Sequence, residues 1–178
     1  MTEFDVLFPP GRAATAEALL DVPDGRRLLL NYVVTLDGQV TREGGSTELG
    51  GPGDHAMFHA LREVVDGVLA GTGTLRAERY GRLVRSPARR AQRTERGLDA
   101  DPVMLVITRS GRVPWAAPLF EVPEQRVLIA GPAEVPPGVR ADVEVLDVVE
   151  PQDALDAFAE RGVARVLCEG GPALSHSL

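Results

Sequence analysis

The chain has 178 residues and a mass of 19.0 kDa, enough for one domain with a real core, and its 44% hydrophobic and 25% charged content is ordinary for a soluble globular protein. A net charge of −7 argues against a nucleic-acid binder. All 19 basic residues are arginine, which excludes Walker-A phosphate binding, Schiff-base chemistry and Ser-Lys catalysis.

The single cysteine, Cys168, cannot form an internal disulfide, and neither a signal peptide nor a membrane span is legible. The expectation is a cytoplasmic protein without a membrane partner. Residues 1–27 read as an N-terminal extension, with Pro9-Pro10 and a short alanine-rich helical segment, Ala13 to Leu20. Leu28 to Leu36 is a nearly continuous apolar run interrupted by Asn31, which predicts a buried strand. It ends at the turn signal Asp37-Gly38, and a glycine- and threonine-rich loop follows through Gly53.

Asp54 is placed as an N-cap, after which Met57, Ala60, Leu61, Val64 and Val65 recur at helical spacing until Gly67 stops the helix. His55 and His59 lie four apart but have no third ligand at a recognisable spacing. They read as a surface pair, and no metal is expected. Arg62, one turn beyond Phe58, sits at the edge of the apolar stripe, placed to reach over the end of a sheet.

The stretch Val68 to Arg85 organises the chain: an apolar strand, the turn Gly71-Thr-Gly-Thr74, a helical turn carrying Glu78, then Arg82 and Arg85. Gly71 and Gly73 admit close backbone approach by a ligand, and Thr74 adds a hydroxyl where unpaired N–H groups favour an anion. A plain tight turn is an equal reading of those glycines. Arg79 to Arg96 is rich in arginine with little apolar patterning, and Arg89 to Arg96 in particular reads as a mobile solvated loop.

Val103 to Thr108 is a strand, followed by the turn Arg109-Ser110-Gly111; Val127 to Ala130 and Val143 to Val149 are further strands. Pro151 opens a helix with Ala154, Leu155 and Phe158 inward, closed by Gly162. Val163 to Cys168 is the last strand, with Cys168 read as a buried thiol, and it runs into Glu169-Gly-Gly-Pro172 before a final helix from Ala173. Alternating strands and helices predict an α/β domain with parallel strands, whose ligands bind beyond the strands' carboxyl ends. Three such ends, at Asp37-Gly38, Gly71-Thr-Gly-Thr74 and Glu169-Gly-Gly, carry small or polar turns.

Thr35-x-Asp37-Gly38, the helix with Arg62, Gly71-Thr-Gly-Thr74 and Glu169-Gly-Gly-Pro172 together resemble the reductase domain of bacterial riboflavin biosynthesis, the C-terminal half of the deaminase/reductase family. The likeness covers residues 28–178 and is closest to stand-alone members, since no zinc-deaminase pattern is present. It implies a dihydrofolate reductase-like α/β fold, with a mostly parallel central sheet flanked by helices, assembled as a homodimer. In that family NADPH delivers a hydride to the ring-opened ribose of a ribosylamino-pyrimidinone phosphate. The resemblance places Ser46, Arg62, Arg82, Arg85 and Glu169 at substrate contacts. It places Val33, Thr74, Glu78, Arg109 and the run Gly170, Gly171, Pro172, Ala173, Leu174 and Ser175 at cofactor contacts, with Glu78 also the candidate catalytic group. Two or three arginines suit a phosphate ester, and Arg109 could pair with the 2′-phosphate of NADPH.

Asn31, Glu48 and Glu78 stand where the family usually has lysine, tryptophan and aspartate, so they bear on the choice of substrate. The chain ends at Leu178, where members continue, and part of the family fold is expected to be missing. Two other readings stay open: a pterin or dihydrofolate reductase on the same fold, and a nucleotide-binding module without catalysis.

Overall fold

Runs of four or five residues, too short for helices, bounded by turn residues and mostly apolar except at the edge strand Asp142–Leu146, form the six strands of one parallel sheet. They are β3 (Arg27–Leu30), β4 (Gly67–Gly71), β5 (Val103–Ile107), β6 (Arg126–Ala130), β7 (Asp142–Leu146) and β8 (Arg165–Cys168). Their order across the sheet is β3-β8-β4-β5-β6-β7. A separate antiparallel pair, β1 (Glu3–Val6) and β2 (Arg12–Thr15), lies at the N-terminus. This computed structural model describes residues 3–6, 11–20, 22–40 and 49–178.

Side-chain alternation sorts the core onto two faces. Val68 and Ala70, Met104 and Val106, Val127 and Ile129, and Leu167 pack on one face with Leu61 and Val65 around α2 (Pro52–Val64). Leu69, Leu105, Leu128, Val166 and Cys168 pack on the other with Ala154, Leu155 and Phe158 of α5 (Pro151–Glu160). The remaining helices are α1 (Ala16–Leu19), α3 (Thr72–Glu78), α4 (Pro87–Glu95) and α6 (Pro172–Ser177). The result is a parallel sheet between helical layers, the arrangement that buries both faces of such strands.

Several expectations change. The strand predicted over Leu28 to Leu36 stops at Leu30 and is an edge, hydrogen-bonded to β8 alone among the described residues, so Leu28, Leu30, Val34 and Leu36 are exposed. The Ala13–Leu20 segment divides into strand β2 and the single turn α1, whose N-cap Thr15 accepts from the Ala18 N–H. Helix α2 begins two residues before Asp54, with Pro52 in its first turn. Gly67 opens β4 instead of closing α2; a Cβ there would lie 2.5 Å from Val163 Cγ1, so close packing selects the glycine.

The largest correction concerns the arginine-rich stretch. Pro87–Glu95 is helix α4, capped by the Ser86 hydroxyl accepting from Arg89 N–H. Arg93 on it is fully buried. Its guanidinium donates to the carbonyls of Arg62 (2.6 Å), Val65 (2.8 Å) and Asp99 (2.8 Å), closing the C-terminal end of α2. Composition suggested solvation because it could not show that one arginine of the run faces a helix end.

Candidate active site

One cavity of about 940 Å³ opens over the carboxyl ends of β4, β5 and β8. Parallel strands all present their carboxyl ends on the same side, so the loops following them meet there. Gly71 to Thr74 line it from β4, Ile107 to Ser110 from β5, and Glu169 to Leu174 from β8. Asn31, Tyr32, Val33 and Val40 reach it from the loop after β3, while the Asp37-Gly38 turn does not. That turn closes on itself, with Gly38 at φ +83° and its N–H bonded to the Thr35 carbonyl.

At the cavity floor is a buried ion pair. Arg62 Nε donates to Glu169 Oε1 (2.8 Å) and Nη2 to Oε2 (2.7 Å), a bidentate fork, while Nη1 donates to the Leu83 carbonyl (3.1 Å). The Tyr80 hydroxyl donates to the same Oε2 at 2.6 Å. The guanidinium carbon lies 4.3 Å from the Phe58 ring centre and 5.3 Å from that of Tyr80, so a cation is held between two aromatic faces. Burial opposes the charge on Arg62, but the Glu169 carboxylate and its hydrogen bonds hold the guanidinium pKa above its ordinary value. Burial first, and then the Glu169 charge, push the Tyr80 hydroxyl pKa well up, so it remains a donor.

The three arginines assigned to one phosphate are differently employed. All line the cavity, yet Arg62 is committed to Glu169, and Arg82 pairs with Asp101 (Nη2 to Oδ2, 2.8 Å) and more loosely with Glu124 (3.6 Å). Asp101 Oδ1 also accepts from Val84 N–H, so this pair fixes the 80–85 segment. Arg85 is exposed at the rim and forms no ion pair among the described residues. Of the three arginines expected to meet one phosphate, one is a rim cation and two belong to buried or half-buried ion pairs.

The cavity wall is still positively biased. Arg62, Arg79, Arg82, Arg85 and Arg109 face it against Asp54, Glu78 and Glu169, in a chain of net charge −7. His55 and His59, read from sequence as a surface pair, are exposed but line the same cavity. Partial burial, and then the charges of Arg62, Arg89, His55 and Arg85, lower the His59 pKa. Among the described residues no group of three or more His, Cys, Asp or Glu side chains could hold a metal ion, and no helix is long and apolar enough to cross a membrane.

Of the residues assigned to the cofactor, Val33, Thr74, Glu78, Arg109, Gly170, Gly171, Pro172, Ala173 and Leu174 line the cavity. Ser175 does not. Its hydroxyl turns inward to hydrogen-bond the Tyr32 hydroxyl and the Gly170 and Gly171 carbonyls, and Tyr32 donates to the Gly170 carbonyl at 2.7 Å. Ser46 and Glu48 lie outside the described residues. Cys168 is buried, and burial raises its thiol pKa, which leaves it the inert strand residue expected.

The residues fit a nicotinamide cofactor on two counts. A Cβ on Gly73 or Gly171 would meet no atom within 4 Å, so both glycines face open space at the cavity wall. Thr108 Oγ1 is buried at the end of β5 and has no hydrogen-bond partner among the described residues. Tyr80, Tyr32, Phe58 and Thr108 were not singled out from sequence. Tyr80 lies inside the organising stretch, and its rarity (two tyrosines in the chain) was the available signal.

This fold and cavity define an α/β domain with an open cavity over the ends of its parallel strands. The chain belongs to the RibD C-terminal domain family, whose pattern matches residues 26–178. It is 28% identical over 161 residues to the 2,5-diamino-6-ribosylamino-4(3H)-pyrimidinone 5′-phosphate reductase of Methanothermobacter thermautotrophicus, covering 85% of this chain and 70% of that protein. Among solved structures it resembles a pyrimidine reductase-like protein from Corynebacterium diphtheriae (TM-score 0.70, 22% identity, 90% of this chain and 74% of that one). It also resembles the diaminohydroxyphosphoribosylaminopyrimidine deaminase/5-amino-6-(5-phosphoribosylamino)uracil reductase of Thermotoga maritima (TM-score 0.67, 23% identity), covering 86% of this chain and 41% of that one.

Proposed function

We propose that this chain is an NADPH-dependent reductase of a ribosylamino-pyrimidinone 5′-phosphate. The carrying observation is the convergence of the β4, β5 and β8 ends on one positively biased cavity with a buried Arg62–Glu169 pair at its floor. Family membership and the names of its relatives support the reaction class. NADPH would supply the hydride to the ring-opened ribose. Thr74, Thr108, Arg109 and the Gly170–Leu174 loop would hold that cofactor, and Glu169 would orient the pyrimidine ring. Arg85 at the rim would meet the phosphate; Arg62 and Arg82 act by holding Glu169 and the 80–85 segment in place. We assign residues 28–178 to the reductase domain and 1–27 to an N-terminal extension. A cytoplasmic homodimer is the assembly proposed, supported by the exposed Leu28 and Leu30 on the β3 edge.

The reading is tested by incubating the protein with NADPH and the phosphorylated substrate and following loss of the reduced nicotinamide absorbance. Cofactor binding without consumption would support the non-catalytic module, and consumption with dihydrofolate alone would support the pterin reading.

Two substitutions test the roles. Arg109→Ala is expected to weaken NADPH by about 1.5–3 kcal/mol, the range of a charge-assisted hydrogen bond, with little effect on NADH. Equal losses in paired titrations would remove Arg109 from the 2′-phosphate. Glu78 closes α3 half-buried at the cavity wall, where it would orient the nicotinamide or a water that serves as proton donor. Glu78→Gln keeps the shape and is expected to lower kcat with cofactor affinity nearly intact. Unchanged turnover at saturating substrate would make Glu78 structural.

A further inference from the structure

The turn after β8 offers a ligand little besides backbone. Gly170, Gly171 and Pro172 line the cavity, and none carries a polar side chain. Backbone groups recognise a ligand only as well as the chain that carries them is anchored. From below, Leu174 packs on the α5-side core, so close under Gly170 that a Cβ there would lie 2.5 Å from Leu174 Cδ2. Gly171 faces open space instead.

The second anchor comes from the side, from Tyr32, 138 residues earlier than Gly170 in the chain. Its hydroxyl donates to the Gly170 carbonyl at 2.7 Å and makes a short contact with the Ser175 hydroxyl. A phenol has one proton, and Tyr32 gives it to Gly170, so Ser175 is the donor in that contact. Ser175 Oγ also lies 3.4 Å from the Gly170 carbonyl oxygen and 3.3 Å from that of Gly171. Among the described residues no other group from outside residues 168–178 hydrogen-bonds to residues 170–177. Asn31 N–H donates to the Cys168 carbonyl (3.4 Å), so the tie at Tyr32 carries the β3–β8 pairing past the end of the sheet.

We propose that Tyr32, with Ser175 behind it, is a positioning residue: their two hydroxyls clasp the Gly170–Leu174 turn in the shape that binds the nicotinamide cofactor. This rests on the reading of that turn as the cofactor loop. Ser175 does not line the cavity, and the Tyr32 oxygen is engaged on two sides. The clasp therefore acts on the ligand through the turn. Tyr32→Phe keeps the ring and removes the clasp.

Cys168 reports on the clasp without any ligand. It is the single cysteine, fully buried, with Sγ 3.9 Å from Ser175 Oγ. Its labelling by an aromatic disulfide, which releases one coloured thiolate per thiol, requires the turn to open or the whole chain to unfold. Local opening gives a rate that stays flat at low urea, whereas global unfolding gives one that rises with urea from the start. Wild type, Tyr32→Phe and Ser175→Ala are compared as full chains by labelling rate and by calorimetric Kd for NADP. A loss of global stability alone leaves that Kd unchanged while the protein stays folded.

Tyr32→Phe is expected to label about tenfold faster, flat at low urea, and to weaken NADP roughly five- to tenfold, the worth of about one hydrogen bond. Ser175→Ala is expected to weaken NADP in the same direction by less, because Tyr32 keeps its bond to Gly170. Unchanged labelling, labelling that rises with urea from the start, or an unchanged Kd in Tyr32→Phe would each overturn the proposal. So would weaker binding in Tyr32→Phe with Ser175→Ala at the wild-type Kd, which makes Tyr32 a direct contact. If Tyr32→Phe does not fold, Ser175→Ala decides by the same two measurements. Faster labelling of Tyr32→Phe beside a wild-type protein that does not bind NADP overturns the cofactor reading of the turn and supports the clasp.

Discussion

Glu169→Ala is expected to cost about 3–5 kcal/mol of folding stability, because it leaves one half of a buried ion pair behind. The Arg62 side chain is 10% exposed and would keep its charge with only the Leu83 carbonyl and two aromatic faces as partners. Tyr80 would lose its acceptor as well. Glu169→Gln keeps the volume and an acceptor oxygen, so a smaller loss is expected. Urea unfolding of both variants beside Glu124→Ala, an exposed acid, gives the comparison; a Glu169→Ala loss no larger than that of the exposed control would show that the pair contributes nothing. Tyr80 adds an alkaline signature. Its folded pKa is raised, so above about 10, where an unfolded tyrosine ionises, the folded state binds more protons than the unfolded one. Stability from this group is intact below that pH and falls as pH rises beyond it, and Tyr80→Phe should remove that part of the slope.

Arg93→Ala should be comparably damaging, at about 3 kcal/mol or more, through a different mechanism. Among the described residues no carboxylate forms an ion pair with Arg93; three backbone carbonyls accept from it, two of them at the C-terminal end of α2. Helix ends carry orphan carbonyls, and those of Arg62 and Val65 lose the donor that satisfies them once the guanidinium is gone. Burial lowers the Arg93 pKa, and the nearby charges of Asp101, Asp66 and Asp99 only partly offset this. The unpaired carbonyls nevertheless outweigh the relief of burying one charge fewer. Arg93→Met fills the space without donating, so it should recover part of the packing and none of the hydrogen bonding. Stability within a few tenths of a kcal/mol of wild type for Arg93→Met would show that the cap is dispensable.

The contrast between Arg93 and Arg62 shows what was legible in the sequence. Arg62 was readable because it sits one turn after Phe58 on a clearly amphipathic helix, and reach over the sheet end follows from that register. Arg93 was not. Its partners are carbonyls, which carry no sequence signal, so the run around it looked like a solvated loop until Ser86 and Pro87 are seen as a helix start. The glycine turn after β4 and the Glu169-Gly-Gly turn after β8 were both found, since parallel strand ends are where ligands meet the chain. Asp37-Gly38 was placed among them wrongly: a turn signal marks a reversal, and nothing in it says which way the loop faces. Pairing of Arg82 with Asp101 joins residues from separate loops, and periodicity carries no information across such a distance.

The order of strands sets an order of events during synthesis. Among the described residues β3 has β8 as its one neighbour in the sheet, and β8 also separates β3 from β4. A ribosome delivers β3 early and β8 last of the six, so the first strand waits unpaired while the next four assemble. Such distant pairings are slow, and a waiting apolar edge is open to wrong partners. Glu169 follows β8 directly, so insertion of that last strand also brings the carboxylate to Arg62 and Tyr80. Until then Arg62 has no counter-charge at the strand end. The nascent chain therefore completes the β3 side of its sheet and the floor of its cavity in one late step, and a chaperone that shields Leu28 and Leu30 would act during the interval before it.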